Sequence, residues 1–239
     1  GIPRERQRWF AVKQVMSHHR MSQLAEELQK KGEIERLDLI VWSESSYPFH
    51  VGRSQQSDFT DPDGRINIKR IKRGFTTPLL MGAGTTDRPG YRRYDKKVYN
   101  SALLLDVNGK IVGRYDKNWL LMFGEYIPFY EQLTFLHGFF RAHRMSNMTR
   151  GGGVNNLVLP DVMLDGVRRP VKLGPLICYE DILPAFGRKS AANKPNMLFN
   201  ITNDAWFGAT QEPYQHLALA VFRSVETRLP LIRKVNIGV

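Results

Sequence analysis

Hydrophobic positions along the chain alternate between a helical and an extended pattern. Across residues 11–31, apolar side chains recur close to every 3.6 positions, which predicts an amphipathic helix. Residues 213–228 show the same period and begin with proline, a residue favoured in the first turn of a helix. We therefore predict one helix near the start of the chain and another near its end.

Short apolar runs between the two helices, and one after the second, predict buried strands. These runs span residues 37–42, 78–84, 98–106, 110–115, 171–177, 196–202 and 231–239. The Asn108-Gly109 pair favours a tight hairpin turn between the third and fourth runs. Because several runs are apolar on both faces and alternate with helices, the pattern predicts a layered α/β fold.

The chain is predicted to form a single domain over residues 1–239. No internal repeat or low-complexity tract interrupts the sequence. Insertions are predicted near residues 52–75 and 132–155, and the three glycines at 151–153 favour a flexible joint. With 42% hydrophobic and 24% charged residues, the composition excludes a mostly disordered chain.

The charge balance predicts an anionic partner. The chain has 35 basic and 23 acidic side chains, and its net charge of +12 attracts anionic lipid head groups or nucleic acid. Nucleic acid is disfavoured because the chain has no zinc-finger spacing and no RNA-recognition signature. The aromatic and basic stretch at 136–141 is either a packed loop or an arm that dips into a lipid interface. No apolar run approaches the ~20 residues that span a bilayer, and the first residues do not resemble a signal peptide.

Neither a metal nor an organic cofactor is expected. The single cysteine, Cys178, excludes an internal disulfide and a multi-cysteine metal site, and the six histidines lack metal-ligand spacing. The GAG segment at 82–84 lacks the third glycine and the following helix of a dinucleotide-binding loop. A thiol–imidazole pair of Cys178 with His216 is disfavoured, because the predicted helix gives His216 no evident orienting partner.

Three polar side chains follow predicted strands and could share one reaction. Glu44, Lys117 and Cys178 each come just after an apolar run, and ligand sites in α/β sheets gather at the carboxyl ends of strands. A carboxylate could take the thiol proton, the thiolate could attack an acyl carbon, and the ammonium could stabilise the oxyanion. The alternatives are a buried structural cysteine and an exposed ion pair of Lys117 with Asp116.

Longer motifs around these residues resemble a known family. Four motifs follow one another along the chain: FGEYIPF (123–129), ICYED (177–181), NDAWFG (203–208) and QHLALAVFRSVETRLPLIR (215–233). With Glu44, Lys117 and Cys178, they are similar to the nitrilase or carbon–nitrogen hydrolase superfamily and, within it, to the apolipoprotein N-acyltransferases of bacterial envelopes. The resemblance covers nearly the whole chain and implies an αββα sandwich.

The resemblance also implies a role for each site residue. Glu44 would be the general base, Lys117 the oxyanion stabiliser, and Cys178 the nucleophile that carries the acyl group as a thioester. Glu125 would support the lysine and help the base. Three further positions match residues that the acyltransferases use toward their substrates: Trp9, Tyr179 and Glu180. For Trp206 and Phe207, packing and ligand contact are equally favoured.

The implied function is acyl transfer at a bacterial membrane. A fatty acyl chain would move from a phospholipid to the cysteine, and then to the N-terminal α-amine of a diacylglyceryl-modified lipoprotein. The family's first strand is not in the chain, and the chain ends within the last predicted strand. The family's acyltransferases also carry membrane spans around this domain. We therefore expect a fragment, truncated at both ends, of an inner-membrane protein with this domain on the periplasmic side.

Two other functions stay open. A soluble amidase of the nitrilase family would use water as the second nucleophile and would hydrolyse a small amide or nitrile. A catalytically inactive binding domain would not need Cys178 at all. Long apolar stretches on both sides of this chain in the parent reading frame would favour the acyltransferase, and their absence would favour the amidase.

Overall fold

The first sheet is built from the strands of the first half of the chain. The computed structural model describes residues 4–55, 70–87, 97–130, 132, 135, 147–208 and 210–236. The strands of this sheet are β1 (Ile40–Val41), β2 (Tyr47–Gly52), β3 (Leu79–Thr86), β4 (Val98–Leu105) and β5 (Ile111–Asp116). Both β1 and β2 pair with β3 in parallel, whereas β4 is antiparallel to β3 and to β5. The predicted hairpin turn between β4 and β5 is confirmed, with Gly109 at a φ of 79°.

The second sheet is built from the strands of the second half. Its strands are β6 (Leu157–Leu164), β7 (Val167–Ile177), β8 (Met197–Ile201) and β9 (Leu231–Lys234), hydrogen-bonded in that order. β6 and β7 form an antiparallel hairpin, and β7, β8 and β9 run parallel to one another. Parallel strands need crossover connections, and helices α2 (Pro184–Ala192) and α3 (Glu212–Thr227) lie in the two crossovers.

The alternation of side chains on β3 and β4 joins these elements into layers. Leu79, Met81, Leu103 and Leu105 face one way and pack in one cluster with Val15 of the long helix α1 (Arg4–Lys30). The intervening residues face the other way and pack against the second sheet: Leu80, Ala102 and Leu104. Since α2 and α3 contact the second sheet, the layers follow the order helix, sheet, sheet, helices. The predicted αββα sandwich is confirmed.

Most of the predicted helices and strands are confirmed, with shifted ends. The first helix begins at Arg4 instead of residue 11, and the predicted strand 37–42 keeps only Ile40–Val41 as regular strand. The sequence analysis missed β2, β6 and the nine-residue helix α2. In β6, Pro160 and Asp161 interrupt the apolar pattern, and the pairing with β7 absorbs them through a register shift between Leu159 and Val162.

Some predictions fall outside the described residues. The lipid-interface arm at 136–141 lies there, as do residues 56–69 of the first predicted insertion. Of the basic run at 69–73, Lys72 is buried and donates hydrogen bonds to the carbonyl oxygens of Thr76 and Asp106. Part of the basic excess therefore supports the fold instead of facing a partner. Among the described helices, none is long and apolar enough to cross a bilayer.

Candidate active site

The three predicted chemical groups meet between the carboxyl ends of the strands. Lys117 directly follows β5, Cys178 directly follows β7, and Glu44 lies three residues after β1. The Lys117 Nζ lies 3.6 Å from the Oε1 of Glu44, and the charges of both residues act on the Cys178 thiol. Glu44 and Lys117 are buried, and Cys178 is partly buried. The structure therefore brings a carboxylate, an ammonium and a thiol together in one largely buried position.

The Lys117 ammonium contacts two carboxylates, and the side-chain amide of Asn100 donates hydrogen bonds to both of them. The Lys117 Nζ lies 2.8 Å from the Oε2 of Glu125. The Nδ2 of Asn100 donates to Glu44 at 2.7 Å and to Glu125 at 2.8 Å. The sequence analysis missed Asn100, for which the only signal was its polarity within the mostly apolar and buried strand β4. A buried polar side chain in such a strand needs hydrogen-bond partners.

Lys117 is not the exposed ion pair that the sequence left open. Its side chain is 2% exposed, and the neighbouring Asp116 instead accepts hydrogen bonds from Arg53 and Ser101. Burial alone would lower the pKa of Lys117, but the nearby carboxylates, Glu44 foremost, raise it above its ordinary value. Lys117 is therefore an ammonium at neutral pH.

Cys178 begins the 3₁₀ turn Cys178–Ile182 with a φ of 48°, a left-handed conformation that is uncommon for a residue with a side chain. Such strain recurs at functional sites, where the surrounding structure holds it in place. Burial, together with the charge of Glu44, raises the pKa of the thiol to about 12. The start of a helical turn would by itself favour the thiolate, but burial opposes it more strongly. At neutral pH the cysteine is a thiol, which a base would have to deprotonate before it could act as a nucleophile.

Glu180 occupies a different position from the one expected of a substrate contact. Its carboxylate is fully buried and accepts hydrogen bonds from the Tyr115 hydroxyl at 2.7 Å and the Ile177 amide at 2.8 Å. It also accepts from the amides of Asn118 at 2.6 Å and Trp119 at 3.0 Å. These donors come from the segments on either side of Lys117 and just before Cys178. The geometry makes Glu180 a connection between the lysine and the nucleophile.

The other two expected substrate contacts lie nearer the surface. Tyr179, next to the nucleophile, is half-buried. Trp9 is 54% exposed on α1, where its ring packs edge-on against Phe10. The same helix reaches the site through Gln14, whose Nε2 donates to the Ser46 carbonyl at 3.0 Å. At about 1.5 Å per residue, Trp9 stands roughly 7–8 Å along the helix from that contact.

Both ring nitrogens of His216 contact carboxylates and not the Cys178 thiol. Its Nε2 lies 2.8 Å from Asp181, and its Nδ1 lies 3.1 Å from Asp204. Burial alone would lower the pKa of His216, but the hydrogen bond with Asp181 raises it. Asp204, Glu212 and His216 have ligand atoms close enough together to hold a cation, yet Arg233 already lies 2.8 Å from the Asp204 carboxylate. An arginine there disfavours a second positive charge.

Two glycines let neighbouring segments approach the site residues closely. A Cβ at Gly82 would lie 2.6 Å from the Cα of Glu44, and a Cβ at Gly151 would lie 2.2 Å from the carbonyl oxygen of Asp116. The Gly151 amide also donates to the Lys117 carbonyl at 2.8 Å. The prediction of a flexible joint at 151–153 is therefore wrong at its first residue, which is packed against the backbone that carries the lysine.

Replacing Gly151 with alanine should lower the free energy of unfolding by about 1–3 kcal/mol, the usual cost of forcing extra volume into a packed position. Gly152→Ala is the matched control, because a Cβ at Gly152 would have nothing within 4 Å. We expect the control to stay within about 0.5 kcal/mol of the parent. Urea unfolding of both variants measures the difference. Equal midpoints would mean that Gly151 does not set the position of the Lys117 backbone.

The fold and a comparison with known families define a class of protein. The chain matches the carbon-nitrogen hydrolase family over residues 13–239, so it belongs to this family, as the motifs predicted. Its structure is similar to the crystal structure of a carbon-nitrogen hydrolase from Helicobacter pylori G27, with a TM-score of 0.54 and 16% identity. That match covers 95% of this chain and 70% of the other, and it shows a shared fold.

Within this family, the chain is similar to curated proteins named apolipoprotein N-acyltransferase. The one from Geobacter metallireducens is 36% identical over 202 residues, which are 84% of this chain and 35% of the relative. The one from Bdellovibrio bacteriovorus is 36% identical over 204 residues, again 84% of this chain and 35% of the relative. The chain thus spans about a third of the length of these relatives.

Proposed function

We propose that this chain is the catalytic part of an N-acyltransferase that transfers a fatty acyl group through a thioester on Cys178. The observation that carries the proposal is the set of buried Glu44 and Lys117 and partly buried Glu125 around a single thiol. The similarity to proteins named apolipoprotein N-acyltransferase supports a lipoprotein α-amine as the acceptor. The donor we propose is a phospholipid.

In the first half-reaction, Glu44 takes the thiol proton as the sulfur of Cys178 attacks the ester carbonyl of the donor. The carbonyl oxygen becomes an oxyanion, and the Lys117 ammonium stabilises it most in the transition state. When the C–O bond breaks, the lysophospholipid alkoxide leaves and takes the proton from Glu44. The products are an acyl thioester and a lysophospholipid with a free hydroxyl group, and the base is a carboxylate again.

In the second half-reaction, the α-amine of the acceptor attacks the thioester carbonyl. Lys117 again stabilises the oxyanion, and Glu44 takes a proton from the attacking nitrogen. The C–S bond then breaks, the sulfur recovers a proton from Glu44, and the acceptor leaves as an amide. The raised pKa of Lys117 supports this role, because a permanent ammonium cannot be consumed as an acid in either step.

Exposed apolar side chains beside the site support a lipid donor over a small amide. The segment that follows Lys117 and leads past Glu125 exposes five large ones: Trp119, Leu121, Met122, Phe123 and Phe129. This segment is tied to the site, since the Leu121 amide donates to the Glu125 carboxylate at 2.9 Å. Clustered exposed apolar groups mark surfaces that contact lipid or protein, and a net charge of +12 adds attraction to anionic head groups.

We propose that the parent protein is a bacterial inner-membrane protein with this domain on the periplasmic side. The support is the length of the relatives, of which this chain spans about a third. The parent reading frame tests the proposal. Long apolar stretches on both sides of this domain are the expected result, and a reading frame without them would favour a soluble amidase.

Incubation with phospholipid vesicles alone should leave one acyl group on Cys178. The mass of the intact protein shows the adduct, and the mass of the peptide that contains Cys178 places it on this residue. The parent protein is the sample to use, with Cys178→Ala as the control that cannot form a thioester. Acyl transfer to a lipopeptide amine without any adduct on Cys178 would contradict the two-step route. Hydrolysis of small amides with no reaction toward phospholipid would favour the amidase.

A further inference from the structure

Strand register brings a hydroxyl next to the nucleophile. β7 and β8 run parallel and pair Ile177 with Ile201, so the next residues, Cys178 and Thr202, leave the sheet side by side. Thr202 is fully buried, and its backbone amide is fixed by a hydrogen bond to the Lys234 carbonyl at 3.0 Å. The nearby Thr202 side chain lowers the pKa of Cys178, against the larger effect of burial.

We propose that Thr202 is a further catalytic residue, whose hydroxyl turns from the Asp204 carboxylate toward the neighbouring Cys178 sulfur and stabilises the sulfur when it becomes an anion. The inference rests on the proposed role of Cys178 as nucleophile. In the resting state the hydroxyl donates to Asp204 at 3.0 Å, and its lone pairs can accept the thiol S–H. When Glu44 removes the thiol proton, the hydroxyl can turn and donate to the sulfur. Thr202 keeps its own proton throughout.

The residues behind Thr202 allow this rotation. The Asp204 Oδ1 that accepts from Thr202 also lies 3.1 Å from the Nδ1 of His216, and its Oδ2 lies 2.8 Å from Arg233. When the hydroxyl turns away, the Asp204 carboxylate keeps these partners. A buried carboxylate left without partners would oppose the rotation, because desolvation of an unpaired charge is strongly unfavourable. His216 and Arg233 are thus positioning residues for the Thr202 hydroxyl.

The neighbouring residue connects the same segment to the base. The Asn203 amide donates to the Oε2 of Glu44 at 2.9 Å. Two consecutive residues therefore lie beside the proton donor and the proton acceptor. Thr202 is next to Cys178, and Asn203 binds the Glu44 carboxylate. We infer that the segment after β8 sets the geometry between nucleophile and base, a role that the sequence analysis did not assign to it.

Thr202→Val tests the inference, because valine keeps the branched shape and lacks the hydroxyl. Alkylation of Cys178 by iodoacetamide over a range of pH, followed by mass spectrometry of the peptide that contains this residue, reports on the thiol with no acyl donor present. We expect Thr202→Val to shift the alkylation profile to higher pH and to slow alkylation at a fixed pH by about tenfold per pKa unit. Thr202→Ser, which retains the hydroxyl, should stay close to the parent.

Thioester formation from phospholipid, measured on the parent protein, should fall by about tenfold in the valine variant and recover in the serine variant. A merely structural role for Thr202 predicts the opposite alkylation result, since a loosened turn would expose the thiol and speed alkylation. Alkylation that is unchanged or faster in Thr202→Val overturns the inference. Because alkylation needs no acyl substrate, a lack of any thioester in the unmutated protein would contradict the proposed function and leave the alkylation result interpretable.

Discussion

Replacing Lys117 with methionine should abolish detectable acyl-enzyme formation on Cys178. Methionine has nearly the length of lysine but no charge, so the oxyanion of the attack would form without its stabilising ammonium. Removal of one such donor typically slows a reaction by on the order of 10²–10³. Lys117→Arg should fail as well, because a planar guanidinium cannot replace a compact ammonium between two carboxylates. Mass spectrometry of the protein after incubation with phospholipid measures both variants.

The structure adds a stability effect that the sequence alone did not indicate. Without the lysine, the carboxylates of Glu44 and Glu125 stay buried with no positive partner among their described contacts. Removing one member of a buried ion pair typically costs about 3–5 kcal/mol, and we expect a loss of this order in urea unfolding. The double variant Lys117→Met with Glu44→Gln removes one of these charges. It should therefore be more stable than Lys117→Met alone, while its activity is no lower.

Two outcomes would contradict this account of Lys117. Near-normal thioester formation in Lys117→Met would mean that another group stabilises the oxyanion. A double variant that is less stable than the single one would mean that the ion pair of Lys117 with Glu44 does not dominate the local electrostatics. Thioester formation is compared only under conditions in which each variant is folded, as followed by circular dichroism.

The position of the site could be predicted from the sequence because it depends on strand ends. Glu44, Lys117 and Cys178 each follow an apolar run, and the topology of parallel strands brings such positions to one edge. The alternation of apolar runs and helices predicted a layered α/β fold, and the resemblance to the family implied the αββα sandwich. Neither strand ends nor apolar runs specify the distances between side chains. What can be predicted in this way is the neighbourhood of a residue and not its partners.

Side-chain contacts that depend on the pairing register of neighbouring strands could not be predicted from the sequence. Asn100 contacts both carboxylates because β4 lies between the segments that carry Glu44 and Glu125, and Thr202 lies beside Cys178 because of one register between β7 and β8. A shift of one residue would turn every side chain of a strand to its other face. The apolar runs do not specify register at this precision, so these two residues carried no distinctive signal beyond their polarity.

The pKa of Cys178 illustrates why local sequence is a poor guide to electrostatics. A position at the start of a helical turn predicts a lowered pKa, but burial and the charge of Glu44 raise it to about 12. Glu44 follows β1 and Cys178 follows β7, more than 130 residues later in the sequence. Their proximity in the fold raises the pKa of the thiol, whereas the local turn alone would lower it. The same holds for Glu180, whose motif position suggests a substrate contact while four donors bury it.

Replacing Glu44 with glutamine should change two reactions of Cys178 in opposite directions. Acyl-enzyme formation should fall by about 10²–10⁴, the usual contribution of a general base, because glutamine cannot take the thiol proton. The negative charge of Glu44 also raises the pKa of the thiol, so its removal should lower that pKa. Alkylation by iodoacetamide at a fixed alkaline pH should therefore become faster. The two rates are measured on the same samples, by mass spectrometry.

Glu125→Gln is the matched control, because Glu125 contributes less to the raised pKa of the thiol and is not the proposed base. It should speed alkylation less and retain more acylation than Glu44→Gln. If acylation and alkylation both slow in Glu44→Gln, the parent protein holds a thiolate and a protonated Glu44 at rest. Glu44 would then take the thiol proton before the attack and not during it. If acylation survives in Glu44→Gln, another group is the base. Opposite changes are expected only when the charge of Glu44 disfavours the thiolate at rest and its carboxylate accepts the thiol proton during attack.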